Sequence, residues 1–269
     1  MPEGDTIHRV AANLRKVLTG QTVTVASHRR ELDATALSES PVKAVESRGK
    51  HLIIHFDNDF VLHSHLGMTG SWHIYRMTAP WQKPKQQAAA VLETHRWTVV
   101  CFTPKLIEIV TARQLARNKY LQKLGPDVLG PPISDEVFLG RIRTQNVVAI
   151  GEAIMNQMVI CGIGNIYKSE TLFLESVSPQ TPVKDLSDQQ LCEIRNRAVT
   201  LMTRNLNKEH RQTRFNTEAG KLWVYGRKNQ DCLLCGNAIK MMRQGETARS
   251  TYYCDSCQIP DTNNGIATS

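Results

Sequence analysis

Four of the seven cysteines stand in two closely spaced pairs near the end of the 269-residue chain. The pairs are Cys232-x-x-Cys235 and Cys254-x-x-Cys257, and 18 residues separate them. Each pair forms a tight turn that presents two thiolates, and two such turns complete the tetrahedron that Zn²⁺ prefers. The alternatives are two disulfides, which are rare without secretion, and a redox CxxC, which needs no second pair. We therefore predict one structural zinc ion.

A second group with chemical potential lies at the start of the chain, which reads Met1-Pro2-Glu3-Gly4. A proline after the initiator methionine permits removal of Met1, and this exposes a secondary amine. An α-amino group has a pKa near about 8, so a useful fraction is an unprotonated nucleophile at neutral pH. It can attack a sugar aldehyde carbon to form an iminium, and Glu3 can shuttle protons beside it. Alone, the motif is weak, because most such termini carry no chemistry.

The overall composition indicates what surrounds these groups. Lys and Arg number 33 against 25 Asp and Glu, a formal charge of +8, and 41% of the residues are hydrophobic. There is no run of about 18 apolar residues, which excludes a transmembrane helix, and the start lacks the pattern of a secretory signal. We expect a globular protein inside the cell with an anionic partner, for which nucleic acid is the natural candidate.

Two kinds of element must position the reactive groups. Apolar spacing predicts a helix over residues 5–19, and short strands follow to about residue 110, typical of a β-sandwich or barrel. Beyond residue 126 the patterns predict helices over 134–142, 146–159, 165–174 and 187–206. Ser134 and Ser187 are the expected caps, the second with Gln190 as a capping box. A cysteine-bearing hairpin over 218–258 and a frayed tail complete the plan.

Seven separated motifs, covering residues 2 to about 258, resemble the Fpg/Nei family of DNA glycosylases (formamidopyrimidine-DNA glycosylase and endonuclease VIII). They are Met1-Pro2-Glu3-Gly4, Glu46-Ser47-Arg48-Gly49-Lys50, His65-Leu66-Gly67-Met68-Thr69-Gly70, Leu124-Gly125-Pro126-Asp127-Val128-Leu129, Met155-Asn156-Gln157 through Asn165-Ile166-Tyr167, Val224-Tyr225-Gly226-Arg227, and Arg249-Ser250-Thr251-Tyr252-Tyr253-Cys254.

The resemblance implies an α+β multidomain fold. It combines an N-terminal β-sandwich catalytic domain with flanking helices (2–125), a helix–two-turn–helix DNA-binding domain (130–217) and a zinc-finger hairpin (218–258), before a flexible tail (259–269). It also implies a bifunctional base-excision-repair enzyme, which excises an oxidised base and then nicks the abasic site by β,δ-elimination.

Four residues match the family's catalytic positions. By resemblance, Pro2 attacks C1′ to form the Schiff base, and Glu3 helps to open the deoxyribose ring. Lys50 lies between two predicted strands, and the family assigns this position to proton donation in β-elimination. Arg249 matches the finger arginine that grips phosphate and assists δ-elimination, a task that suits a fixed guanidinium.

Three further residues match DNA-binding positions of the family. Asn165 opens a predicted helix, where backbone N–H groups favour phosphate, although an ordinary helix cap is the alternative. Lys123 matches a basic position that contacts DNA. Met68 matches the wedge that fills the gap left by a flipped nucleotide, and a core methionine is the alternative reading.

The motifs are divided between the two branches of the family. Gly4 and the absence of an Arg-Arg-Phe-Gly run around residues 103–108 favour endonuclease VIII and oxidised pyrimidines, whereas the 66–70 segment is closer to Fpg, which prefers oxidised purines. Asp5-Thr6 stands where many members have Pro-Glu, so a supporting carboxylate is missing at position 6. We predict an endonuclease VIII-like enzyme, with an Fpg-like enzyme or an inactive DNA-binding relative as alternatives.

The expected partner is double-stranded DNA that contains oxidised bases or abasic sites. We expect no membrane association, a monomer, and a cytoplasmic location on the nucleoid if the source is bacterial.

Overall fold

The computed structural model describes residues 2–27, 32–208, 210–215 and 220–259. The chain divides into two compact units, Met1–Lys123 and Leu124–Ser269. The domain boundaries within residues 125–218 stay predictions, and the predicted tail beyond residue 259 lies outside the described residues. In the part of the chain that is described, no helix combines the length and apolar character that a membrane crossing requires.

The described residues of the first unit form three α-helices and eight strands. The helices are α1 (Gly4–Leu18), α2 (Ala112–Ala116) and α3 (Lys119–Lys123). The strands are β1 (Thr22–Ala26), β2 (Ser40–Arg48), β3 (His51–Phe56), β4 (Phe60–His65), β5 (Ser71–Arg76), β6 (Ala88–Glu93), β7 (Trp97–Phe102) and β8 (Leu106–Thr111). They form an antiparallel sheet in the order β5-β7-β6-β1-β2-β3-β4-β8.

Strand β1 connects two layers of this sheet. Its first two residues pair with β2, and Thr24–Ala26 pair with β6. One apolar cluster contains core residues from both layers, such as Leu62 on β4 and Val99 on β7. Trp72 on β5 also donates from Nε1 to the Ser64 hydroxyl on β4 over 3.1 Å. The predicted β-sandwich is therefore confirmed, with its core between the layers.

Helix α1 is antiparallel to β2 along the sandwich. Its apolar face buries Ile7, Ala11, Leu14 and Leu18 in the same core. Near its end, the Arg15 guanidinium donates to the Val45 carbonyl over 2.9 Å, and Thr19 forms a bridge to Val42. Positions later in α1 thus meet positions earlier in β2. The first turn of α1 therefore lies toward the end of the sheet where β2 turns into β3.

The second unit is helical, with a small hairpin. Its elements are α4 (Asp135–Ile142), α5 (Ile150–Ala153), α6 (Asn165–Leu174), α7 (Asp188–Arg204), β9 (Lys240–Gln244) and β10 (Arg249–Tyr253). Ser134 caps α4, and Ser187 caps α7 with both bonds of a capping box, as predicted. The apolar faces of α4, α6 and α7 pack into a second core, separate from that of the sandwich.

The predicted helix over residues 146–159 is wrong, because only Ile150–Ala153 is α-helical. Before this turn, the Val148 and Asn146 carbonyls accept bonds from the backbone of residues 183 and 184. After it, Gln157 donates from Nε2 to the Met155 carbonyl over 2.7 Å, and the Asn156 Oδ1 accepts from the Met158 N–H over 3.0 Å. These side-chain bonds supply the backbone with partners that a helix would otherwise provide.

Candidate functional site

Several loops of the first unit converge at one end of its sheet. His51 opens β3 and pairs with His65, which closes β4, and His65 pairs in turn with Leu106 at the start of β8. The β2–β3 turn, the 66–70 loop and the 103–105 loop therefore lie side by side, toward the first turn of α1. We call this region the turn end of the sheet.

Pro2 directly precedes α1 and is half-buried. Glu3 is the N-cap residue, and its carbonyl accepts the Thr6 and Ile7 N–H groups over 3.0 and 3.2 Å. The Glu3 and Asp5 side chains are fully buried. Two carboxyl groups are thus held within the first turn of a helix beside Pro2. Asp5 supplies a second carboxyl group in the turn where the family's Pro-Glu is missing.

Lys50 lies in a two-residue turn between β2 and β3, where Arg48 and His51 form the last pair. Gly49 has φ 58°, as the first central residue of a II′-type hairpin turn does, and glycine adopts this conformation without strain. A loop this short leaves the Lys50 backbone little freedom. The side chain therefore starts from a fixed point at the turn end.

The side chains that follow Lys50 form an unusual buried group of histidines. The rings of His51 and His63 are stacked at 5.1 Å, and those of His51 and His65 lie 4.8 Å apart. Burial, the neighbouring histidines and the charges of Arg48 and Lys50 lower the pKa of His51 to about 3. Burial, then Lys50, Lys105 and His63, lower the pKa of His65 to about 4. Both rings are therefore neutral at neutral pH.

Met68 lies in the 66–70 loop with 68% of its surface exposed, so the core-methionine reading is wrong. Gly67 precedes it at φ 66°, and a β-carbon there would come within 2.8 Å of Lys105. Only glycine fits this close approach, which holds the loop against the start of β8. Lys123 is exposed at the end of α3, which contacts the turn end through the Tyr120 ring, 5.6 Å from that of His51.

In the second unit, Asn165 is the first residue of α6 and Gly164 is its N-cap, so the helix-cap reading of Asn165 is wrong. The Asn165 side chain is buried, and its Oδ1 has no hydrogen-bond partner among the residues that the structure describes. A buried amide oxygen without a partner costs free energy, typically about 1–3 kcal/mol.

Arg249 opens β10 and lines a cleft of about 610 Å³ in the second unit. Lys168, three residues after Asn165 on α6, lines the same cleft, together with Glu152 and Asn156. The Lys168 ammonium is buried and donates to the Thr251 hydroxyl over 2.6 Å. Sequence reasoning did not select Lys168, although its spacing from Asn165 places both on one helix face. The cleft thus brings two cations, Lys168 and Arg249, together with two carboxylates, Glu152 and Glu246.

Glu170 holds the segment before the cysteines against α6. Its fully buried carboxylate accepts the N–H groups of Trp223, Val224 and Tyr225, each over 2.8 Å, and the Thr213 hydroxyl. Sequence reasoning missed this residue too, since nothing local distinguishes it from a surface glutamate.

The four cysteines of the hairpin meet in one cluster, and their sulfur atoms all lie within 4.8 Å of one another. Cys232 and Cys257 are separated by 3.8 Å between Sγ atoms, and Cys235 and Cys254 by 3.5 Å. These distances exclude disulfides, whose S–S bond is about 2.05 Å. They approach the edge of about 3.8 Å that metal–sulfur bonds of about 2.3 Å give a tetrahedron. The cluster can therefore hold a metal ion.

The thiols differ in acidity before any metal is considered. The Asn237 N–H and then the Cys257 thiol lower the pKa of Cys235 to about 7, whereas burial raises the pKa values of Cys254 and Cys257. A bound cation offsets the cost of ionising these crowded thiols.

Together these features define a class: a β-sandwich unit with carboxyl groups beside Pro2, followed in the chain by a helical unit with a four-cysteine hairpin. Two family models match this arrangement. Residues 1–117 match the formamidopyrimidine-DNA glycosylase N-terminal domain, and residues 124–217 match the H2TH domain of the same enzymes.

Whole-chain relatives agree with the family models. "Probable endonuclease 8 2" of Streptomyces coelicolor is 35% identical over 96% of this chain and 94% of its own. "DNA-(apurinic or apyrimidinic site) lyase Nei2" of Mycolicibacterium smegmatis is 35% identical over 96% of this chain and 99% of its own. The chain belongs to the Fpg/Nei family of DNA glycosylases.

A solved structure shows the same fold. Lactococcus lactis Fpg, in a complex with DNA containing N7-benzyl-Fapy-dG, superimposes with a TM-score of 0.82 at 21% identity, covering 96% of this chain and all of that one.

Proposed function

We propose that this chain is a bifunctional DNA glycosylase/AP lyase of base excision repair, in which Pro2, freed of Met1, is the nucleophile. One observation carries the proposal: Pro2 stands beside two buried carboxyl groups, Glu3 and Asp5, in the first turn of α1. This turn lies toward the sheet end that carries Lys50. A nucleophile, acid–base groups and a cation thus belong to one region of one unit.

The chemistry follows from these groups. The Pro2 nitrogen forms a bond to C1′ as the bond from C1′ to the base breaks, and the base leaves with the electron pair and takes a proton from water. The Pro2 nitrogen then passes its own proton to the Glu3 carboxylate, and Glu3 delivers that proton to O4′ as the ring opens, which leaves an iminium between Pro2 and C1′. Water takes a proton from C2′, the electron pair of that bond expels O3′ from C3′, and Lys50 donates a proton to the departing phosphate oxygen.

The DNA-binding roles are also proposals. Asn165 donates its amide and Arg249 its guanidinium to phosphates near the lesion, and we add Lys168 because it shares the cleft with Arg249. Arg249 also assists the δ-elimination. Lys123 contacts the backbone. Met68, exposed on its loop, fills the space that the flipped nucleotide leaves.

The metal in the cysteine cluster is proposed to be zinc, held by Cys232, Cys235, Cys254 and Cys257. Four thiolates at tetrahedral spacing suit Zn²⁺, whose role here is to hold the hairpin that carries Arg249. Metal analysis of the purified protein should give one zinc per chain.

For the substrate we propose oxidised pyrimidines in double-stranded DNA, acted on by a monomer. The relatives named endonuclease 8 support this branch, as does Gly4. Excision of thymine glycol and dihydrouracil should exceed that of 8-oxoguanine. Preference for 8-oxoguanine would instead favour the Fpg-like alternative.

Borohydride trapping tests the central claim. With an abasic-site duplex, borohydride should reduce the iminium and leave a stable protein–DNA adduct on Pro2. Intact mass first confirms that Met1 has been removed. A variant with extra residues before Pro2 binds the duplex but should give no adduct. Failure of correctly processed protein to form an adduct would reject the lyase and favour an inactive DNA-binding relative.

A further inference from the structure

The outer face of the sandwich, opposite its apolar core, carries a line of polar side chains across β3, β4 and β8, of which the two histidines are buried and the glutamate is half-buried. The His51 Nδ1 lies 2.8 Å from the His63 Nε2, and the His63 Nδ1 lies 2.8 Å from the Glu108 Oε1. His63 and Glu108 pair directly across β4 and β8. We call His51, His63 and Glu108 the histidine row. Nothing in the chemistry proposed above uses it.

The hydrogen bonds couple the rings of the row. The Glu108 carboxylate accepts from the His63 Nδ1, and one hydrogen lies between the His63 Nε2 and the His51 Nδ1. The tautomer of the neutral His51 ring is therefore set by the His63 ring that Glu108 orients. His51 is 6% exposed and His63 1% exposed, so water competes little with this order. The row therefore ends in a neutral imidazole of defined tautomer at the residue after Lys50.

The groups around the His51 ring come from every neighbouring element. Arg48 and Lys50 flank it on the β2–β3 hairpin, His63 and His65 lie on β4, and the Tyr120 ring of α3 is tilted against it. Lys105 acts on the adjacent His65. Glu108 on β8 is bonded to His63, and Glu46 on β2 pairs with Ile53, two residues along β3 from His51. A proton on the His51 or the His65 ring would place a positive charge near Lys50. Burial lowers the pKa of both rings, so both are neutral at neutral pH.

We propose that His51 is a positioning residue for Lys50, held in one ring orientation and one tautomer by His63 and Glu108. The proposal deepens the function proposed above, since it concerns how Lys50 is presented for β-elimination. A two-residue turn fixes the Lys50 backbone, and the neutral ring beside it removes a competing charge. The row thereby links the outer face of β4 and β8 to the turn that carries Lys50.

His63 is the best position for a test, because it neither follows Lys50 nor reaches the turn. His63→Leu breaks both hydrogen bonds of the row. His63→Gln keeps one donor and one acceptor in a side chain of similar length. His55→Gln is the matched control. His55 lies on the same face of β3, four residues from His51, and its Nε2 lies 3.5 Å from the Glu46 carboxylate rather than in the row.

Two readouts separate positioning from a general loss of structure. The first compares single-turnover β-elimination on an abasic duplex with the rate of borohydride trapping. His63→Leu should slow elimination about 10-fold while trapping stays nearly unchanged, since small misplacements of a reactive group cost about this much or more. His63→Gln should restore most of the rate, and His55→Gln should behave as the parent protein.

The second readout needs no DNA. Reductive methylation of Lys50 in the free protein, followed by mass spectrometry, should be faster in His63→Leu than in the parent or in His55→Gln, because the side chain is less confined. If the parent forms no adduct but Lys50 labelling changes, the proposed function fails and the positioning role stands. Unchanged labelling, or a parallel fall of elimination and trapping, would overturn the positioning role.

Discussion

The sandwich unit and the cysteine hairpin hold their functional residues by opposite means. In the sandwich, Lys50 is fixed by a short turn between strands that bury a large shared core. In the hairpin, Arg249 stands on two strands of five residues each, supported by a cluster of Phe173, Val224, Ile239 and the buried cysteines. Apolar burial is sufficient for the first unit, whereas the second needs a cross-link. The same chemistry thus depends on two independent sources of order.

Loss of the proposed zinc should have the largest effect on protection from hydrogen exchange. It should affect the hairpin and leave the sandwich unchanged. Structural zinc contributes on the order of 10 kcal/mol in small fingers, so Cys254→Ser or a chelator should abolish protection of β9 and β10 from hydrogen exchange. Protection of β3 and β4 should be unchanged. Cys192→Ser is the control, because Cys192 is a partly buried cysteine outside the cluster. Equal loss of protection in both regions would contradict the comparison.

A cavity made in the sandwich tests whether apolar burial stabilises the first unit. Leu62 is fully buried between the layers, and Leu62→Ala should lower the free energy of unfolding of the first unit by about 2–5 kcal/mol. Met68→Ala, at an exposed site of the same unit, should change it by less than about 0.5 kcal/mol. Denaturant unfolding followed by hydrogen exchange in β3 measures both. A smaller loss for Leu62→Ala than for Met68→Ala would refute the assignment of the core.

Glu170 connects the helical core with the segment that leads into the hairpin. Glu170→Gln replaces one accepting oxygen by an amide that faces N–H donors, so buried groups lose partners at a cost of about 1–3 kcal/mol. The effect should appear as faster exchange at residues 223–225 and weaker zinc retention. Glu193→Gln on the exposed face of α7 is the control. Unaltered exchange at 223–225 would show that the segment is held by other contacts.

Acid should act on the sandwich through two histidines whose pKa values are lowered by burial. The folded pKa values of His51 and His65, about 3 and about 4, lie below the ordinary value near 6.5. Between those limits the unfolded chain binds more protons, so the stability of the first unit should fall as pH drops from about 6.5 toward 4.

His51→Phe removes one titrating ring and should flatten this dependence. The pH dependence is measured as the difference between the urea midpoints at neutral pH and at about pH 4.5, followed by hydrogen exchange in β3 and β4. His55→Phe is the control. Identical slopes for the two variants would argue against the buried state of His51.

How much the sequence predicted depended on the range of the interactions. Helix caps such as Ser187 and Gln190 act over three residues, and the cysteines of each pair are three residues apart. Both features could therefore be predicted from the local sequence. The prediction for the 146–159 segment was wrong because its apolar period is helical, whereas the Asn156 and Gln157 side chains satisfy backbone groups that a helix would use. The histidine row and the Glu170 cluster join residues far apart in the chain, and no local pattern signals such pairings.

The division of β1 between two neighbours has a consequence for the order of assembly. Its first residues can pair as soon as β2 has been made, but Thr24–Ala26 pair with β6, roughly 70 residues later in the chain. Until β6 arrives, half of β1 is an open edge over an incomplete core. Closure of the sandwich is therefore a late event in folding, and the nascent chain is most prone to aggregation through that edge in this interval.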